Sequence, residues 1–407
     1  MLILHPRVVA DPIDSSIIVD AGIAVDGAMI AGCGPYRRIR ERFGPADEID
    51  LPDCIVLPGL VNAHTHLELS HLRGKISYDG DFVDWVFRLT KARGDSHDSL
   101  EKILTDACRE SLQSGVTTVG DICYEHRAWR HLKQLPIRKT CFAEVFGMTG
   151  DCDTAEQYLQ QCIGNTQTDG LLRLGLSPHA PYSARPGIYE IAARLADKHG
   201  LVLTTHLAET PGELEFLMEG SGPWLEYLRK IGRWDGSFKC PHQSPVEYFL
   251  GLDLAGVRVL LGHVNYISDE ELSALARTKH SVVFCPRSHG FFGHERHSFE
   301  RIIEMGVNVC LGTDSLASNE TLSILDEMRF LHRQSPGVPV GTLLKMGTIN
   351  GAVALGWQDK IGSVAPGKEA DLIAIPLSGT QSDPLMDILR SAVQPELTMV
   401  QGRRVKL

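Results

Sequence analysis

Two histidines one residue apart, His64 and His66, close an apolar run that extends from Ile55 to Val61. The run is short, continuous and rich in branched residues, which predicts a buried strand. Residues two apart on an extended chain point to the same side. Both imidazoles are therefore presented to one point beyond the strand's end. Three further apolar runs end in the same way. Leu201–Leu203 leads to His206 and Glu209, Val257–Leu261 to His263, and Val307–Leu311 to Asp314. Parallel strands joined by helices bring such ends to one face of a sheet or barrel. An isolated pair of histidines is commonplace in solvated loops; four strand ends with related chemistry are not. Imidazole and carboxylate together form a mixed nitrogen and oxygen ligand set that leaves room for a water.

The rest of the chain has the alternation this reading needs. Candidate strands are Ile55–Val61, Thr117–Asp121, Thr140–Phe146, Leu172–Ser177, Val202–His206, Val257–His263, Ser281–Phe284 and Val307–Thr313. Amphipathic stretches lie between them, such as 100–113, 188–198 and 269–278. About eight strand and helix units in this length predict an α/β fold, a (β/α)8 TIM barrel. Before Ile55 and after Gly356 the pattern is β-like, with short runs broken by Asp-Pro, Asp-Gly and Gly-Pro. The two ends are expected to join in a small β-sandwich. The expected division is 1–56 plus 360–407 for that composite domain and 57–359 for the barrel. The stretch from Glu213 to Leu254 is long for a barrel connection and carries Trp224, Tyr227, Trp234 and Phe238. It is either a helix pair on the barrel rim or a lid over the pocket. The run Ser288–His297 holds three histidines. They read as loop residues rather than a second metal site, with His289 a substrate contact.

A net charge of -11 argues against a nonspecific nucleic-acid or anionic-membrane binder. The ten cysteines are scattered, without a CxxC pair, and several sit in apolar runs. They read as free thiols of a reducing compartment. With no signal-peptide core at the start and no membrane-length apolar run, a cytoplasmic location is expected.

Taken together, these residues resemble the amidohydrolase superfamily, and within it the adenosine-type aminohydrolases. Leu57-Pro58-Gly59-Leu60-Val61-Asn62-Ala63-His64-Thr65-His66 is similar to the family's first-strand motif, and Ser177-Pro178-His179-Ala180-Pro181-Tyr182 to its fourth. His206 with Glu209 matches the fifth-strand HxxE pair, His263 the sixth-strand histidine, and Gly312-Thr313-Asp314-Ser315 with Ser318-Asn319 the eighth. Glu68 directly after the histidine pair resembles the HxHLE pattern of aminodeoxyfutalosine deaminases. The acidic ribose-binding residue of S-adenosylhomocysteine and methylthioadenosine deaminases has no counterpart in Leu89-Thr90-Lys91-Ala92-Arg93. The seventh-strand segment, Cys285-Pro286-Arg287-Ser288-His289, also lacks their asparagine.

The resemblance implies a divalent metal, zinc first by ligand type, held by His64, His66, His206 and Asp314. No lysine ends the fourth strand, so one ion is expected rather than two. Asp314 is expected to bind through one oxygen and accept the water's proton through the other. His263 orients that water, and Glu209 acts as general acid on a purine ring nitrogen. His179 contacts the heterocycle or its sugar. Glu68 either binds sugar hydroxyls or pairs with Arg73. The implied activity is hydrolytic deamination of a 6-aminopurine nucleoside with release of ammonia. A small-molecule substrate and a homo-oligomer, a dimer or larger, are expected, with no nucleic-acid or membrane partner. Two other readings stay open: hydrolysis of another ring (guanine, cytosine, a cyclic amide or a chloro-heterocycle), and a non-catalytic barrel used for assembly.

Overall fold

The computed structural model describes residues 1–13, 16–94, 98–124, 128–148, 152–254, 256–379 and 382–405. At its centre eight parallel strands follow one another in chain order: Leu60–Thr65, Val116–Cys123, Arg138–Val145, Leu172–Pro178, Val202–Leu207, Val259–His263, Ser281–Phe284 and Asn308–Leu311. Helices cover the outer face and the strands are buried along nearly their whole length. That double burial is why they read as unbroken apolar runs. The helix Leu100–Gln113 keeps its expected bounds, with Ser99 Oγ accepting the Lys102 N–H at 3.2 Å.

The ring closes between its first and last strands. The backbone N–H groups of Thr313 and Asp314 both donate to the His64 carbonyl at 3.1 Å. The Asn62 side chain donates to Thr313 Oγ1 at 2.8 Å and accepts the Thr313 N–H at 3.1 Å. Closure therefore falls at the level that carries the histidine pair and the aspartate.

The run Ile55–Val61 is not one barrel strand. Asp47–Pro58 pairs with Leu2–Ala10 and Leu372–Pro376 in a second sheet, and the barrel strand begins at Leu60. The exchange takes one residue: the Gly59 N–H donates to Asp371 O at 2.8 Å and the Leu60 N–H to Gly115 O at 3.0 Å. A Cβ on Gly59 would lie 2.1 Å from Thr117 Oγ1, so only glycine fits the crossing. Both halves of the run are buried, so hydrophobicity gives no sign of the break.

The second sheet has eight strands drawn from both chain ends. The expected sandwich is hydrogen-bonded as one continuous mixed sheet, in which Leu2–Ala10 and Asp47–Pro58 run parallel and the other pairs antiparallel. Period-two alternation sorts its residues. Val56 joins a core with Leu4, Ile23, Leu372 and Met399. Ile55, Leu57 and Ile373 face the barrel's core instead. Arg138, fully buried, ties barrel to sheet through Asp371 at 2.9 Å and Glu369 at 2.6 Å.

The insertion after the fifth strand folds as helices Pro211–Glu219, Pro223–Lys230 and Pro245–Leu250. It is a packed layer with its own aromatic core, in which Trp224 stacks on Tyr182 at 3.7 Å. The ten cysteines are free thiols. Among the described residues no helix is long and apolar enough to cross a membrane.

Candidate active site

The barrel's carboxyl ends bring His64, His66, His206, Glu209, His263 and Asp314 together. The ligating atoms of His64, His66 and His206 lie within 4.8 Å of one another. Asp314 Oδ1 is 3.6 Å from His66 Nε2 and 3.9 Å from His64 Nε2. His263 Nε2 lies 3.4 Å from Glu209 Oε1.

Hydrogen bonds fix how these groups present themselves. His206 Nδ1–H donates to the His179 carbonyl at 3.0 Å, leaving a lone pair on Nε2. That nitrogen faces His66 Nε2 at 3.4 Å. Both ring nitrogens of His64 are buried without a hydrogen-bond partner among the described residues. Buried nitrogens left so are uncommon unless something else satisfies them. Ser288 and Ser318 hydroxyls donate to Asp314 Oδ2 at 2.8 and 3.0 Å, which turns Oδ1 toward the histidines. Converging lone pairs beside one carboxylate oxygen are a donor set that fits a divalent cation.

Charge states follow from burial. His64 is held well below the usual imidazole range by desolvation and by the neighbouring histidines. Burial lowers His66 and His263 to about 3 each, against the pull of Asp314. These imidazoles are neutral. Burial pushes the Asp314 carboxyl up, but its neighbours, the Ser288 hydrogen bond among them, bring it below its ordinary value. Glu209 goes the other way. Burial first, then the Asp314 and Glu213 charges, hold it well above the ordinary carboxyl range, which favours its protonated form.

The backbone at the site is strained. Ala208, His263, Val264 and Asp314 have φ of 50°, 69°, 52° and 57°. Each costs on the order of 1–3 kcal/mol in a residue with a side chain. Bonds across strand ends hold the conformation: the Val264 N–H donates to Leu207 O at 2.9 Å and the Asn265 N–H to Ala208 O at 3.0 Å.

The remaining expected residues divide. His179 adjoins the cluster, its ring 4.9 Å from that of His206 and its Nδ1 2.6 Å from Ser183 Oγ. Glu68 is buried and pairs with Arg93, not Arg73, which pairs with Glu110. The intervening chain folds back along the helix Phe82–Ala92, so Arg93 reaches Glu68 from its far end. His289 is not brought to the cluster; its ring lies among Phe284, His294 and His297. His297 links that group to the site by donating from Nε2 to the His263 carbonyl at 2.8 Å.

Other functional neighbours were not singled out from sequence. Glu144, at the end of the third strand, has Oε1 3.9 Å from His179 Nε2, and burial raises its pKa to about 7. Glu213 accepts the Ala208 and Glu209 N–H groups. A signal for Glu213 was present: Thr210-Pro211-Gly212-Glu213 has the spacing of a capping box.

Fold and site together define a barrel hydrolase. The chain belongs to the amidohydrolase family, whose family model matches residues 55–405. It is 28% identical over 373 residues to 5-methylthioadenosine/S-adenosylhomocysteine deaminase of Syntrophobacter fumaroxidans, covering 87% of this chain and 79% of that one. The structure is similar to Helicobacter pylori aminofutalosine deaminase in complex with methylthio-coformycin, with a TM-score of 0.90 and 24% identity over 100% of both chains. It is also similar to an adenosine deaminase from Xanthomonas campestris with bound zinc, with a TM-score of 0.81 and 24% identity over 99% of this chain and 92% of that one. These two structural likenesses show the fold.

Proposed function

We propose that this protein hydrolytically deaminates a 6-aminopurine nucleoside, releasing ammonia, with one divalent ion, zinc first, held by His64, His66, His206 and Asp314. The observation that carries the reading is the buried Glu209 with its Oε1 3.4 Å from His263 Nε2, beside the cluster of imidazoles, where burial raises its carboxyl well above the ordinary range. The deaminase names of relatives matched over most of the chain support it. A bound divalent cation lowers the pKa of water and makes it nucleophilic near neutral pH.

The chain's own groups then manage protons and position. Asp314, its Oδ1 turned to the histidines and its Oδ2 held by the Ser288 and Ser318 hydroxyls, is the carboxylate that accepts a proton from the water that adds to C6. Glu209 donates its proton to the adjacent ring nitrogen, which cancels charge that would otherwise build on the purine. His263, neutral and held by a fixed backbone, orients the water. A C–O bond forms at C6, the C–N bond breaks as the amine takes the proton that Asp314 holds, and ammonia leaves while the C6 hydroxyl returns a proton to Glu209. His179 contacts the heterocycle or sugar, and Glu68 the sugar hydroxyls. His289, in the ring cluster that His297 joins to the His263 carbonyl, is proposed as a further substrate contact. The aromatic layer of the insertion excludes water on one side, which suits a substrate extended at its 5′ position.

An ammonia-release screen tests this reading. Adenosine, methylthioadenosine, S-adenosylhomocysteine and aminodeoxyfutalosine are compared with guanine, cytosine and a chlorotriazine. The best adenine nucleoside is expected to lead. Far faster turnover of any of the last three overturns the reading.

A further inference from the structure

One histidine of the run 288–297 holds the end of the sixth strand. His297 is 4% exposed, and its Nε2 donates to the His263 carbonyl at 2.8 Å. A carbonyl only accepts, so the ring's proton sits on Nε2. Nδ1 is buried without a partner among the described residues. Burial lowers the ring to about 3, which favours this neutral form. The imidazole plane is fixed from behind. It stacks at 4.0 Å on Phe284, the last residue of the seventh strand, with Phe299 beyond. A second latch from the same run reaches Tyr266, whose hydroxyl lies 3.1 Å from His294 Nδ1.

The sixth strand needs that hold. Its pairing with the seventh ends at Gly262 opposite Val283, just before His263. His263 and Val264 then take φ of 69° and 52°, a region that residues with side chains rarely enter. Toward the fifth strand the turn is tied twice. The Val264 N–H donates to Leu207 O at 2.9 Å, and the Asn265 side chain donates to Glu209 O at 3.0 Å. Toward the seventh strand, the bond from His297 takes over where the ladder stops. Held on both sides, the strand end sets where the His263 imidazole falls, with Nε2 3.4 Å from Glu209 Oε1. Rotation about this backbone would carry the ring with it.

We propose that His297 is a positioning residue, which through the His263 carbonyl fixes the His263 imidazole against Glu209 and the attacking water. The inference rests on the reading above for the role of His263. The donor acts on the backbone and touches no substrate. What it governs is the transition state, where a misplacement of about 1 Å can cost about 100-fold. Ground-state binding, made by other groups, is left nearly as it was.

Kinetics of His297→Phe and His297→Gln, each in the wild-type and the His263→Gln background, test it. The fastest substrate of the ammonia-release screen is used, with ion content and melting temperature measured beside. His297→Phe keeps a ring to stack on Phe284 and removes the donor; His297→Gln places an amide N–H near the reach of Nε2. His297→Phe is expected to keep its ion, to lose about 10- to 100-fold in kcat and to change KM by less than about threefold. His297→Gln recovers most of that loss. In the His263→Gln background, assayed at high enzyme concentration, His297→Phe is expected to cost less than about threefold, because the ring it positions is gone. An equal loss in both backgrounds, a loss carried by KM, loss of the ion, no recovery in His297→Gln, or no loss at all overturns the inference. Should His297→Phe not fold, His297→Asn, whose amide stops at the depth of Nδ1, takes its place with the same expectations. If the fastest substrate is not an adenine nucleoside, the deaminase reading falls, and His297 is still judged on that substrate.

Discussion

The carboxylate of Glu213 accepts the backbone N–H of Glu209 at 2.9 Å and that of Ala208 at 3.0 Å. It is fully buried and holds the turn in which Ala208 adopts a φ of 50°. Glu209 is thus aimed by a second glutamate four residues on. Glu213→Ala would leave two buried N–H groups without an acceptor. A loss of about 2–4 kcal/mol in unfolding free energy is expected, together with reduced turnover. Glu213→Gln keeps one strong acceptor and should lie between. Chemical denaturation beside kcat checks both; wild-type values for Glu213→Ala would mean that the turn holds itself.

The second prediction concerns the ion. Elemental analysis of the purified protein should find about one divalent ion per chain. His66→Ala removes a nitrogen that lies 3.4 Å from His206 Nε2 and 3.6 Å from Asp314 Oδ1. The variant should lose most of the ion and activity together. Undiminished metal content and turnover would remove His66 from the ligand set.

Glu209→Gln changes little in size and is neutral, the form that burial favours for the acid. What it removes is a transferable proton. The variant should fold, retain its ion and lose at least about two orders of magnitude in turnover. Near wild-type turnover on the best substrate would place the acid elsewhere.

Much of this was legible in the sequence because strand ends announce themselves. Ser281–Phe284 emerges with its expected bounds, and the residues after the first, fifth, sixth and eighth strands meet as the period-two argument requires. The exchange of sheets at Gly59 was not legible, since Ile55–Leu57 and Leu60–Val61 are equally apolar and equally buried. Nor was the partner of Glu68. Ion pairs between distant segments depend on how helices pack, and Arg93 and Arg73 are equally good guanidinium donors on paper. Ser288 and Glu144 carry no local signal, because a lone serine or glutamate after a strand is unremarkable until the ring closes around it.

The acid limb of stability should report a half-buried histidine outside the site. Burial lowers His280 from 6.5 to about 4, and its Nδ1 accepts the Val259 N–H at 3.1 Å, which requires the neutral ring. As pH falls below 6.5 the unfolded chain takes the proton first. The stabilisation is complete above 6.5 and is lost as pH falls through 4. His280→Gln should remove on the order of 2 kcal/mol of that dependence, allowing for partial exposure. Denaturation midpoints at pH 4.5 and 7 read it directly. An unchanged difference between the two would show that His280 is not titrating.

The last prediction joins the seventh and eighth strand ends. Ser288 and Ser318 both place a hydroxyl on Asp314 Oδ2, and their own oxygens are 2.9 Å apart. Because Oδ2 is doubly bonded in this way, only Oδ1 is left to face His64 and His66. Removing one hydroxyl leaves the other to hold the carboxylate, so Ser288→Ala and Ser318→Ala should each be mild. Removing both frees the side chain to rotate and withdraws two hydrogen bonds to a buried charge, each worth about 1.5–3 kcal/mol. The double variant should therefore lose more than the sum of the singles, in ion affinity by chelator competition as well as in kcat/KM. Strictly additive, small losses would mean that the strained backbone at Asp314, with its φ of 57°, fixes the carboxylate without the serines.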